Sequence, residues 1–269
     1  ELCTIVNGRS GRCSEDCRFC AQSCHYHTGA EEYPFLPVQE IVEEGKRNEA
    51  AGVHRYSIVT AGRGLHGREL DHALEAYRRL GEETGLALCA SHGLQSVEEF
   101  QAMREAGVTR YHANLETSRR NFPNICTTHT YEDKLENIRR AQAAGLEVCS
   151  GGILGMGETW EDRLDMALDL SELGVVSIPL NLLTPIPGTP LEEAEPLTEG
   201  DVFRSVAIFR LLNPTAWIRM AAGRRRFAGG GRKLFRCGAN AAITGDMLTT
   251  TGTGIAGDRA MLAQLGYEI

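Results

Sequence analysis

Five stretches of the chain repeat one order of polar and apolar positions. They are "EEGKRNEAAGVHRYSIVTAG", "YRRLGEETGLALCASHG", "FQAMREAGVTRYHANLE", "IRRAQAAGLEVCSGGI" and "LDLSELGVVSIPLNLL". A charged, Ala/Leu-rich amphipathic segment comes first, as a helix lying on a core requires. A glycine follows, at Gly52, Gly85, Gly107, Gly145 and Gly174. Glycine suits the position after a helix end, where φ is positive and a side chain would clash. A short apolar or β-branched run closes each unit and reads as a buried parallel strand. The predicted strands are Leu2–Val6, Arg55–Thr60, Leu86–Ser91, Thr109–Leu115, Glu147–Ile153, Val175–Leu182, Ala216–Ala221 and Leu234–Ile243. Eight βα units predict an α/β fold, a (β/α)8 TIM-type barrel with its chemistry on the loops after the strands. An open doubly wound sheet is the competing layout, but no G-x-G-x-x-G follows the first strand. "TPIPGTPLEEAEPLT" (Thr184 to Thr198) reads as a Pro-rich loop and not as a linker. One domain over residues 1–269 is expected, with an opening at Glu1 that leaves the native terminus undetermined.

Composition narrows this picture only a little. Of 269 residues, 42% are hydrophobic and 24% charged, as in an ordinary globular protein. The net charge of −8 argues against a nucleic-acid partner, which needs a basic surface. The one basic run, "GRRRFAGGGRK" (Gly223 to Lys233), reads as a solvated mobile loop. No apolar run approaches the roughly 18 residues of a membrane span. No signal peptide is visible in a chain that opens at Glu1. Nine cysteines in such a chain point to metal or redox chemistry more than to a disulfide scaffold.

Four of those cysteines fall in "GRCSEDCRFCAQSCHYHTG". Cys13, Cys17 and Cys20 form C-x3-C-x2-C, with Cys24 just beyond. A zinc site completed by His25 or His27, a disulfide and an iron–sulfur cluster are the three readings. Zinc usually takes four ligands, often as two distant C-x2-C pairs, and no second pair exists. Three thiolates on one short loop suit three corners of a [4Fe–4S] cluster, leaving one iron open. A second segment, "GGILGMGE", has the form G-x-I-x-G-x-x-E at Gly151, Ile153, Gly155 and Glu158.

Together these two motifs resemble the radical S-adenosylmethionine (SAM) superfamily. Further segments, among them "HANLETS", "NICTTHTYEDKLE", "SIPLNLLTPIPGTPL", "NPTAWIRMAAGR" and "GANAAITGDMLTT", resemble the biotin synthase family along the whole chain. The resemblance implies a radical SAM sulfurtransferase of biotin biosynthesis. SAM bound to the [4Fe–4S] cluster is cleaved to methionine and a 5′-deoxyadenosyl radical, which removes hydrogen from dethiobiotin. Sulfur then comes from an auxiliary iron–sulfur cluster. A cytoplasmic homodimer reduced by flavodoxin or ferredoxin is implied as well. The alternatives are a hydrogenase-maturase or methylornithine-synthase type of barrel, or an iron–sulfur carrier without chemistry of its own.

The resemblance also implies roles for residues. Cys13, Cys17 and Cys20 hold the SAM cluster. Phe19 packs on adenine, and Gly151, Ile153, Gly155 and Glu158 line the adenosine side. Glu116 stands where the family commonly has Asp against the SAM ribose, and Lys134 where it usually has Arg against the SAM carboxylate. Lysine keeps that charge but loses the bidentate fork. Asn114 and Asn181 touch substrate, the latter at the ureido ring, to which an amide offers both donor and acceptor. Thr249 and Thr250 lie near the substrate carboxylate. Cys89, Cys149 and Arg219 hold the auxiliary cluster. Cys89 and Cys149 each follow their glycine by four residues, which places them in comparable layers of the barrel. The family's remaining cluster cysteine falls at Ser57, a poor iron ligand. Cys24, Cys126 and Cys237 are the thiols considered to compensate, with Cys126 favoured. A variant auxiliary cluster, [2Fe–2S] or four-iron in type, is the expectation. Cys3 reads most simply as a core residue of strand one.

Overall fold

A computed structural model of the chain describes residues 1–250 and 252–269. Among them the strands are β1 (Leu2–Arg9), β2 (Arg55–Thr60), β3 (Ala87–Ser91), β4 (Val108–His112), β5 (Glu147–Cys149), β6 (Gly152–Leu154), β7 (Ser177–Leu182), β8 (Trp217–Met220) and β9 (Ala241–Ile243). The helices are α1 (Val38–Ala50), α2 (Gly67–Glu83), α3 (Val97–Glu105), α4 (Tyr131–Ala143), α5 (Trp160–Glu172), α6 (Glu199–Leu212), α7 (Ala228–Arg236) and α8 (Ile255–Gln264). The sheet order is β5-β4-β3-β2-β1-β9-β8-β7-β6, and a β5–β7 pairing closes the ring. β5 and β6 are two halves of one stave, so the barrel has eight parallel staves and the predicted architecture holds. Tyr56, Tyr77, Tyr111 and Phe100 are fully buried between staves and helices. Each such side chain contributes on the order of 1.5–3 kcal/mol of apolar burial.

Several helices start at a side-chain cap just past the mouth of the barrel. Ser96, Thr130 and Thr159 form capping boxes with Glu99, Asp133 and Asp162. Each cap is worth about 1 kcal/mol and fixes where a mouth loop ends. At the other ends, Gly52, Gly107, Gly145 and Gly174 have positive φ, as the repeat requires. Gly85 does not, because α2 ends through an extended Thr84.

Three expectations need correction. The predicted strand Leu234–Ile243 is α7 up to Arg236 and a strand only over Ala241–Ile243. Gly231, Leu234 and Phe235 are buried while Lys233 and Arg236 are exposed, a helical spacing. Cys237 caps that helix, so strand alternation does not govern its direction. The basic run is not simply solvated, since Arg224 is buried and paired with Asp258 of α8 at 2.5 Å. Stave five, expected unbroken over Glu147–Ile153, breaks between Cys149 and Gly152. Pro179 opposite has no N–H to offer, and the Gly151 N–H turns to the Asn114 side-chain oxygen at 3.0 Å.

The hydrogen-bond registers fix which side chains share a level of the barrel interior. With eight staves and a shear of about eight, the residue at equal height on the next stave lies one beyond the register partner. Starting from Cys3, this path runs through Tyr56, Cys89, Tyr111, Cys149, Ile178, Arg219 and Ala242, then returns to Cys3. Alternate members point inward, so Cys3, Cys89, Cys149 and Arg219 form one layer. By the same path Ser57, His112, Pro179 and Ile243 form the layer above, and Arg55, Arg110, Ser177 and Ala241 the layer below.

Candidate active site

The cysteine loop follows β1 and is pinned at the C-terminal mouth. Its backbone folds on itself through Cys13 N–H to Gln22 O (3.0 Å), Cys24 N–H to Cys13 O (2.8 Å) and Cys20 N–H to Cys17 O (2.9 Å). Its carboxylates reach across to the loop between β4 and α4. Glu15 meets His129 at 2.5 Å, Thr128 at 2.9 Å and Arg63 at 3.3 Å. Burial works against charge on Glu15, and the hydrogen bonds from His129 and Thr128 overcome it, so its pKa falls. Against partial burial, Asp16 accepts from the Thr127 hydroxyl and from the backbone N–H groups of Thr127 (2.8 Å) and Thr128 (3.2 Å), which hold it well below the usual carboxylate range. Cys13 is buried, Cys17 and Cys20 are half-buried, and Cys24 is exposed.

Below the loop lies a cavity of about 330 Å³ running down the barrel axis. Phe19, Cys20, Asn114, Glu116, Ile153, Asn181, Thr249 and Thr250 line it, and so do Cys89, Cys149 and Arg219. Asn114 donates to the Glu116 carboxylate at 3.2 Å. Burial raises the Glu116 pKa, opposed by the charges of Lys134 and His112. Glu116 also holds a left-handed backbone, φ +70°, and its carbonyl accepts from Ile153 N–H at 2.9 Å. That is a strained conformation for a non-glycine residue. The Asn181 amide oxygen takes Ala222 N–H at 3.2 Å, and its nitrogen donates to Gly152 O at 3.3 Å. One donor and one lone pair of this amide remain. Lys134 is half-buried in the first turn of α4, where its charge is felt at Cys17 and Glu116.

Other expected members lie elsewhere. Cys126 does not reach the barrel cavity. Its Sγ is 3.8 Å from Cys17 Sγ, 3.2 Å from His129 Nδ1 and 3.2 Å from Asp16 Oδ1. The β4–α4 loop folds back onto the cysteine loop and carries Cys126 with it, away from Cys89 and Cys149. Sharing a proton with Cys17, against partial burial and with help from His129, brings the Cys126 thiol down to about 4. Glu158 also stays out of the cavity. Its buried carboxylate accepts from Gly155 N–H (2.9 Å) and Met156 N–H (2.7 Å) and pairs with Arg163 at 2.8 Å. Through these contacts it shapes the loop after β6. Gly155 packs under Leu183 and Leu197, and Gly151 is tucked against the Pro179 carbonyl.

The cavity also holds residues that the sequence reading missed. Cys3, Arg55, Arg110 and His112 all line it. Strand alternation was the available signal: Arg55 precedes Ser57 by two positions, and His112 precedes Asn114 by two. Arg55 Nη1 lies 3.5 Å from Cys89 Sγ and 2.9 Å from Thr109 Oγ1. Arg219 donates to Ala242 O at 3.1 Å and Ser177 Oγ at 3.4 Å. The Glu1 carboxylate bridges Arg219, Arg110 (3.0 Å) and Arg55 (3.4 Å). Burial pushes the Cys3 thiol up to about 12 against the charge of Arg219. Burial also raises Cys149, but His112 and Arg219 more than offset it and bring that thiol down to about 7.

A closed parallel barrel with C-x3-C-x2-C at its mouth defines a radical SAM enzyme, and the family model described as Radical SAM superfamily matches residues 9–170. A second, described as Biotin and Thiamin Synthesis associated domain, matches residues 179–268. The biotin synthase of Clostridium beijerinckii is 60% identical over 269 residues, all of this chain and 85% of the relative. That of Alkaliphilus metalliredigens is 60% identical over 268 residues, covering 84% of the relative. The chain belongs to the biotin synthase family. Among solved structures, methylornithine synthase superposes with a TM-score of 0.85 at 19% identity, over 99% of this chain and 82% of that one. The FeFe-hydrogenase maturase of Carboxydothermus hydrogenoformans gives 0.81 at 14% identity, over 99% and 66%. These two likenesses concern the fold.

Proposed function

We propose that this chain converts dethiobiotin to biotin by radical SAM chemistry. The observation that carries the reading is the order of groups down one cavity. Cys20 and Phe19 stand at its mouth, Asn114, Glu116 and Asn181 in its middle, and Cys89, Cys149 and Arg219 below them. The donor sets fit the groups that the family implies. Cys13, Cys17 and Cys20 on one pinned loop suit a [4Fe–4S] cluster, and thiols facing buried guanidiniums suit an anionic iron–sulfur centre. When bound, the first cluster supplies the electron that cleaves SAM to methionine and a deoxyadenosyl radical, and the auxiliary centre supplies sulfur.

The chain's own part is to bind, orient and exclude water. Glu116 accepts a ribose hydroxyl, Lys134 faces the SAM carboxylate, and Phe19 covers the adenine. Ile153 forms the wall beside the adenosine. The remaining donor and lone pair of Asn181 meet the ureido ring, with Asn114 beside it. Thr249 and Thr250, on the loop after β9, meet the substrate carboxylate. The auxiliary centre is of [2Fe–2S] or four-iron type, a flavodoxin or ferredoxin is the reductant, and the enzyme works as a homodimer in the cytoplasm. Residues 1–269 act as one domain, because staves from both family segments close the same barrel. No helix among the described residues is long and apolar enough to cross a membrane.

Anaerobic incubation of reconstituted protein with reductant, SAM and dethiobiotin tests the proposal. Biotin and 5′-deoxyadenosine form together. Absence of both while the clusters stay intact overturns it.

A further inference from the structure

One thiol is missing from the auxiliary set if Ser57 is counted in it, and Cys126 lies too close to the SAM-cluster loop to replace it. The registers supply another. We propose that Cys3 provides the third thiolate of the auxiliary centre, so that one barrel layer of Cys3, Cys89, Cys149 and Arg219 forms its protein ligand set. The proposal rests on the reading above that the chain carries such a centre.

Three observations converge on Cys3. The equal-height path from Cys3 passes through Cys89, Cys149 and Arg219 and closes on Cys3, while Ser57 belongs to the layer above. Four inward side chains from alternate staves make up one layer of such a barrel, and here three of the four are thiols. The Cys3 side chain is buried and lines the same cavity as the other three. Among the described residues its S–H meets only the Thr4 carbonyl, at 3.4 Å, and no other hydrogen bond holds it.

The charge around the layer fits the same conclusion. Arg55 and Arg110 stand in the layer below, and Arg219 within it. Buried guanidiniums require anionic partners. Among the described residues the three guanidiniums meet two carboxylates, those of Glu1 and Glu147, which leaves one guanidinium charge over. An iron–sulfur centre with three thiolates answers that excess directly. Soft thiolate binds iron–sulfur units far better than a serine hydroxyl does. Moving the thiol from β2 to β1 therefore keeps three sulfur ligands and draws the centre level with its arginine.

The test uses the full chain, loaded anaerobically, with iron, acid-labile sulfide and Mössbauer spectra as readouts. Cys3→Ser loses the iron, sulfide and spectrum of the auxiliary centre. It keeps the SAM cluster, whose response to added SAM shows that the variant is folded. Ser57→Ala keeps both centres. A Cys3→Ser protein with its auxiliary spectrum and iron unchanged overturns the assignment, as does loss of that centre in Ser57→Ala. If the unmodified chain holds no iron beyond the SAM cluster, the auxiliary reading itself fails, and Cys3 with it.

Discussion

His92, just past β3, has both ring nitrogens engaged, one with Thr60 Oγ1 at 3.0 Å and the other with the Tyr77 hydroxyl at 2.8 Å. Burial, aided by the charge of Arg9, brings its pKa down to about 3 from an ordinary 6.5. The fold thus keeps this ring neutral at pH values where the unfolded chain protonates it. Its stabilising contribution is complete above the unfolded pKa and is lost progressively as the pH falls toward the folded one. Within that window this one group costs about 1.4 kcal/mol of stability per pH unit. His92→Gln keeps a neutral hydrogen-bonding side chain and removes that slope. Urea unfolding measured at about pH 7 and about pH 5 should show a smaller acid loss in the variant than in the parent. Equal losses would assign the acid sensitivity to other groups.

Among the elements, the break in stave five has the closest consequences for the site. A Cβ on Gly151 would lie 2.0 Å from the Pro179 carbonyl oxygen, although the Gly151 φ is not positive. Space, not backbone freedom, demands glycine here. Gly151→Ala therefore pushes β6 off β7 and should lower stability by about 2–3 kcal/mol, as overpacking does. A loss below about 1 kcal/mol in urea unfolding would mean that the strand yields without strain. The break also marks how far the sequence could be read. The order of helix, glycine and strand was legible because amphipathic spacing and a helix-ending glycine are local signals. The clash that makes Gly151 necessary involves Pro179 on another stave, and no local pattern reveals it. The last stave misled for a related reason: apolar Leu234 and Phe235 fit a strand or a helix equally well until burial on one face decides. At the site, the three mouth cysteines proposed to hold the SAM cluster were readable as a group from their spacing, with their role implied by the family resemblance. Cys3 was not, because its inward direction was local information but its level beside Cys89 and Cys149 depends on registers summed around the whole ring.

At the scale of the molecule, those registers tie the two family segments together. Residues 9–170 hold β2 to β6, and residues 179–268 hold β8, β9 and most of β7. Neither stretch closes a sheet alone, because closure needs the β1–β9 and β5–β7 hydrogen bonds. The layer of Cys3, Cys89, Cys149 and Arg219 also draws on both sides of that boundary. A sheet left open on both edges would expose unpaired backbone groups and the cavity wall together. One cooperative transition is the physical expectation, and the chain carries its own probes for it. Of its two tryptophans, Trp160 begins α5 in the first segment and Trp217 begins β8 in the second. Trp160→Phe leaves Trp217 to report on the second segment, and Trp217→Phe leaves Trp160 to report on the first. Unfolding midpoints followed by fluorescence should coincide in the two variants. Loading the clusters should raise both midpoints by the same amount, since a group bound only by the native state stabilises the whole cooperative unit. Separate midpoints, or a rise confined to one tryptophan, would mean that the barrel folds as two units.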